Sequence, residues 1–169
     1  MDRKRGSLKE VVEIALLSAF IIVTGSFKLP GIIPGTEFQL SAPIAVAIAA
    51  NFGFKRYFLA GLVASLVLFS IGAHNFFNVI VSIVFRLVAG GIIAILGPSF
   101  LAVTVAGPLG SVAARLILAG LLHKGVIVLL VAALPGMLYT ALTAWPLTRL
   151  MAKTKEQIQG GTSFGGSGV

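Results

Sequence analysis

No cysteine occurs in these 169 residues, which excludes disulfides, thiolate nucleophiles and cysteine-held metals. Carboxylates are nearly as scarce, with five Asp and Glu against thirteen Lys and Arg and a formal net charge of +8. Charged residues of both signs make up 11% of the chain, where an average soluble domain carries roughly a quarter. Too few solvated groups remain to cover a globular surface in water. Hydrophobic residues instead reach 57%, and mean hydropathy is +1.05. That balance excludes an ordinary soluble enzyme and a disordered chain. A nucleic-acid binder would gather its cations on one face with polar support. Here they sit near the two ends and in short breaks between apolar runs, the distribution that marks cytoplasmic segments of a membrane protein.

Catalytic and energising motifs are missing as well. There is no glycine loop with Lys of the Walker type, no HExxH, no GxSxG and no carboxylate pair at helical spacing inside an apolar run. A membrane enzyme and a self-sufficient ion-coupled pump both lack their chemical parts, and the chain carries no ATPase of its own. Neither a cofactor nor a metal is expected, because the only histidines are His74 and His123.

What the chain does have is apolar length. A bilayer core of ~30 Å needs about 20 apolar helical residues per crossing. Breaks at 30–37, 51–56, 72–75, 97–98 and 123–125 leave segments at 10–28, 39–53, 57–72, 77–96, 101–122 and 125–151. The predicted fold is an all-α membrane protein, a compact bundle of six transmembrane helices. Arg3, Lys4 and Arg5 ahead of the first run imitate a signal peptide, but no small-x-small cleavage site follows, so the run reads as a retained span. Arg3, Lys4, Arg5 and Lys9, then Lys55 and Arg56, then Arg149, Lys153 and Lys155 place both termini in the cytoplasm. Residues 1–9 form a basic N-terminus and 10–152 the membrane domain. Residues 153–169, rich in Gly, Ser and Thr, are expected to be a disordered cytoplasmic tail.

Polar residues stranded in apolar runs are the candidates for function. Arg86 and Arg115 each interrupt such a run, where a central Arg costs about 2.5–3.5 kcal/mol. Between Glu13 and Glu156 the only carboxylate is Glu37. Two guanidiniums without acidic partners invite an anionic ligand, since Arg grips carboxylate or phosphate through paired hydrogen bonds. Alternatively they satisfy helix-end carbonyls, snorkel, or meet a partner subunit. His74, Asn75 and Asn78 cluster between two segments and offer donors and acceptors; Tyr139 and Thr140 add hydroxyls. The loop Phe27 to Gln39 holds Pro30-Gly31 and Pro34-Gly35 yet stays rich in Leu, Ile and Phe, which suits a cap over a pocket or a rest at the lipid interface. Glu37 and Gln39 would stand at its mouth, unless Glu37 serves only a helix start. Ala15 and Ala19 on the first segment, and Ala102, Ala106, Gly110 and Ala114 on the fifth, repeat at four residues and allow close helix approach. Trp145 reads as an interface anchor.

Over residues 8–152 the pattern resembles the substrate-binding S components of energy-coupling factor (ECF) vitamin transporters. The resemblance lies in Ala15-x-x-x-Ala19, the cap loop running into Thr36-Glu-Phe-Gln-Leu40, and the hairpin Asn51-Phe-Gly-Phe-Lys-Arg56. Phe54 stands where that family's loop usually has Pro. The resemblance implies a high-affinity membrane subunit that captures a vitamin or related micronutrient. It would dock through Ala15 and Ala19 on a transmembrane T subunit driven by two ATP-binding subunits, in the cell membrane of a prokaryote. The competing class is a non-catalytic assembly subunit of a membrane complex, which needs the alanine stripes but no pocket.

Overall fold

The computed structural model describes residues 2–30, 37–39, 41–123 and 125–161, with side chains for 8–27, 41–123 and 125–157. Among them lie five helices, α1 (Asp2–Ser26), α2 (Ser41–Ser70), α3 (Phe76–Leu96), α4 (Phe100–Leu122) and α5 (Val126–Gly161). Two short strands, β1 (Lys28–Pro30) and β2 (Glu37–Gln39), pair antiparallel with Leu29 opposite Phe38. The loop at 27–39 is therefore tied at its base by a β-ladder, and β2 lies beside α1 and α5. Residues 31–36, at the centre of the expected cap, fall outside the described residues.

The six-helix bundle is corrected. Four of the five helices, α2 to α5, are long and apolar enough to cross a membrane. The expected second and third segments belong to a single element, α2, which is kinked at Gly53 (φ 80°, ψ 166°) instead of being interrupted by a loop. A positive φ is open to glycine because it has no Cβ to clash, so one residue does what a turn of several was expected to do. The first segment is helical, but it carries Lys9, Glu10 and Glu13 and is not among the four. α5 also runs on to Gly161, through a stretch assigned from sequence to an unstructured tail. Its Lys-Thr-Lys-Glu-Gln-Ile-Gln run holds good helix formers, which propagate a helix already begun in the apolar segment.

Local chemistry sets the other ends. Asn75, in extended conformation, caps α3 by accepting the Asn78 N–H at Oδ1 (2.9 Å). Ser99 does the same for α4 through the Ala102 N–H. His123 closes α4 in the left-handed region and donates its backbone N–H to Ala119 O. α3 packs between α2 and α4, α1 lies on α2, and α5 covers α4 and α2. Ala102, Ala106, Gly110 and Ala114 are all buried and let α4 meet α3 closely; a Cβ on Gly110 would fall 3.0 Å from Phe85 O. The outer faces are apolar, with Ile95 84% and Leu142 76% exposed, so only lipid or a partner protein can cover them. The chain is a multi-pass membrane protein.

One end of the bundle gathers the flanking charges. Lys55 Nζ donates to Glu10 Oε1 (2.9 Å), and Arg56 Nε lies 3.2 Å from Glu13 Oε2 in an ion pair short of hydrogen-bond geometry. The hydrogen bond from Lys55, then its charge, holds the exposed Glu10 carboxyl below the ordinary carboxylate value. Lys155 Nζ reaches from α5 to Asn51 O (2.8 Å), and Asn51 Nδ2 donates to Ala47 O and Thr148 O. The kink in α2 is thus strapped to α5. Trp145 packs edge-on to Phe100, with Arg149 over its ring at 5.4 Å.

Candidate functional site

Every helix contributes to one partly open cavity of about 200 Å³. α3 supplies Asn78, Ser82 and Arg86, which recur at four-residue spacing and so form one polar stripe along an apolar helix. α4 supplies Ser111 and Arg115 at the same spacing, with Ala114 between them. α2 adds Ser41, Ala42 and Ala45 from its first turns, α1 adds Ile21, and α5 adds Ala132, Ala133, Gly136 and Thr140. No carboxylate among the described side chains lines this space. The ion pairs among the described residues, Lys55–Glu10 and Arg56–Glu13, leave both Arg86 and Arg115 without an acidic partner. Two guanidiniums on one small chamber create a positive field in a low-dielectric setting, where an anion is held far more strongly than in water.

Arg86 is buried and anchored by a directional chain. Its Nη1 donates to Ser65 Oγ (2.9 Å), Ser65 and Ser82 hydroxyls meet at 2.8 Å, and Ser82 Oγ donates to Val79 O (2.9 Å). Ser82 spends its single proton on Val79 O, so Ser65 must be the donor between the two hydroxyls. The chain runs Arg86 to Ser65 to Ser82 to a backbone carbonyl, and each link polarises the next. The guanidinium reaches this position because Gly61 on α2 offers no side chain; a Cβ there would overlap the Arg86 Nε, Cδ and Cζ. Arg115 is partly exposed and lines the same cavity.

The other candidates separate. Asn78 lines the cavity beside the two arginines. Asn75 is exposed, and its side chain is engaged in capping α3. His74 is buried beneath the end of α2, its backbone N–H donating to Leu68 O, and is not a lining residue. Tyr139 is half-buried and accepts the Thr143 hydroxyl on its carbonyl (2.6 Å); its neighbour Thr140 lines the cavity and donates to Gly136 O. The side chains of Glu37 and Gln39 lie outside the described residues, although Ser41, two positions on, lines the cavity. Ala15 and Ala19 stand on the outer face of α1 among exposed Val12, Leu16, Phe20 and Val23.

Sequence reasoning missed Tyr57, Gly61, Ser65, Ser82 and Ser111. A signal was present in the recurrence of Tyr57, Gly61 and Ser65, and of Asn78, Ser82 and Arg86, every four residues. Each series lies on one helix face.

The chain is 52% identical over 157 residues to Protein BioX of Lysinibacillus sphaericus, an alignment covering 93% of this chain and 95% of that protein. No family model matches the chain, and no solved structure matches it.

Proposed function

Because the chain belongs to the family of Protein BioX, we propose that it is a membrane-embedded binding subunit for the uptake of a small anionic nutrient. It is a multi-pass membrane protein of a prokaryote. The observation that carries the proposal is the convergence of Arg86 and Arg115 on a single cavity lined by no carboxylate among the described side chains. A carboxylate or phosphate compound of vitamin or related micronutrient type would complete the charge there, with Asn78 and Ser111 offering further hydrogen bonds. Arg86, already held by Ser65, is the pre-organised contact, and Arg115, less buried, is the one that ligand entry would draw inward. The chemistry proposed is capture, with no covalent step.

The finer reading is an S component that hands its ligand to a T subunit and two ATP-binding subunits. Its support is the exposed small-residue patch at Ala15 and Ala19, bordered by apolar side chains on α1.

Mass spectrometry of compounds released from the purified, denatured protein tests the binding reading. A small carboxylate or phosphate compound is expected from the wild type. Arg86→Ala and Arg115→Ala, eluting as the wild type does, should retain it at least ~30-fold more weakly, as removal of one partner of a buried charged pair costs about 2–5 kcal/mol. Equal retention by the variants, or no compound at all, refutes it.

A further inference from the structure

The α2–α3 contact is a reciprocal one. Tyr57 and Gly61 are one turn apart on α2, and Arg86 and Gly90 are one turn apart on α3. The Tyr57 ring lies on Gly90, where a Cβ would fall 2.7 Å from Tyr57 Cε1, and the Arg86 guanidinium lies on Gly61. Each helix therefore seats its large polar-tipped side chain on the bare backbone of the other. The interlock leaves two polar atoms without a protein partner. Tyr57 Oη, on a fully buried residue, and Arg86 Nε are both shut away from solvent and lack a hydrogen bond. Both belong to the same α2–α3 contact, one helical turn apart along it. Orphaned buried polar groups are rare in folded proteins, and a buried water characteristically bonds several otherwise unsatisfied groups at once.

We propose that Tyr57 is a positioning residue for the cavity, its hydroxyl and Arg86 Nε sharing one buried water that sets the plane of the guanidinium. A phenol both donates and accepts, so the water accepts from Arg86 Nε–H and exchanges a hydrogen bond with Tyr57 Oη. With Nη1 on Ser65 and Nε on the water, two separate edges of the guanidinium are fixed from α2, which leaves its other N–H groups for the cavity that Arg86 lines. Tyr57 itself does not line the cavity, so it acts only through Arg86. The functional consequence rests on the anion-binding reading; the positional one does not.

The test uses the full chain in detergent micelles with ¹⁵N-labelled arginine, the Arg86 Nε–H signal being assigned by its loss in Arg86→Lys. In the wild type this proton should exchange slowly and show magnetisation transfer from a long-lived water. In Tyr57→Phe, which keeps the ring on Gly90, its exchange should accelerate at least tenfold while the Arg115 Nε–H signal and the thermal midpoint stay put. Unchanged Arg86 exchange overturns the proposal. Equal acceleration at Arg115 also overturns it, by making Tyr57 a packing residue only, and so does the absence of water transfer in the wild type. In parallel, retention of the co-purifying compound should fall about tenfold in Tyr57→Phe. If the wild type carries no compound, the anion-binding reading fails while the exchange result still stands or falls alone.

Discussion

Arg86 shows how much surrounding structure one buried cation requires. An Arg in an apolar helix is costly to insert, by about 2.5–3.5 kcal/mol at the centre of a span. The cost is met locally by a serine relay and by a glycine that clears the space. Gly61 should therefore be as sensitive as Arg86 itself. Gly61→Ala drives a methyl into the guanidinium and is expected to destabilise the protein by about 1–3 kcal/mol, the usual cost of overpacking. Ligand retention should fall as it does in Arg86→Ala, and thermal melting run beside mass spectrometry reads both effects. A Gly61→Ala protein that keeps wild-type stability and retention would show that the guanidinium is not held against α2.

Among the elements, the cap of α3 and the strap on α2 have separable roles. Asn75→Ala removes the acceptor for the Asn78 N–H and should cost about 1 kcal/mol, visible as a lower melting temperature, without loss of ligand. Loss of ligand with unchanged melting would make Asn75 a binding residue instead. At the other end, Lys155 donates to a carbonyl two residues before the kink, and its ammonium also stands 5.0 Å from the Phe52 ring centroid. Lys155→Met keeps the aliphatic stem and removes the charge-assisted bond. A loss of about 1.5–3 kcal/mol is expected at most, with faster amide exchange around 50–54 as the specific sign. Exchange there equal to the wild type would mean that Gly53 holds the kink unaided.

For the whole molecule, the division between inner and outer faces decides how it can work with partners. Ala102, Ala106, Gly110 and Ala114 are spent on packing α4 inside the bundle, while Ala15 and Ala19 face outward. The same spacing thus occurs in two environments. Ala15→Leu with Ala19→Leu should leave melting and ligand retention unchanged, since neither side chain is buried. Uptake of the compound by cells that contain the partner subunits should drop at least tenfold if α1 is the docking face. Normal uptake by that double variant would exclude the face as a docking site.

Composition and hydropathy alone placed the chain in a membrane, and the starts and stops of α3 and α4 lie within a residue of the expected 77–96 and 101–122. Those features are local, because an apolar run, an Asn or Ser cap and a Gly break act over a few residues. Arg86, Arg115 and Asn78 were likewise conspicuous, being polar groups where lipid penalises polarity. The abruptness of the break in α2 was not legible, since a single residue, Gly53, makes it where a turn of several was expected, and only the contacts with Glu10 and Glu13 show how Lys55 and Arg56 are accommodated beside it. Nor could the sequence say that Ser65 would receive Arg86, or that Gly61 and Gly90 would each seat a residue of the other helix. Patterning along a chain sets which residues leave water, because each residue carries its own transfer free energy. Which of them meet depends on how helices pack, and that is settled only when all five are in place.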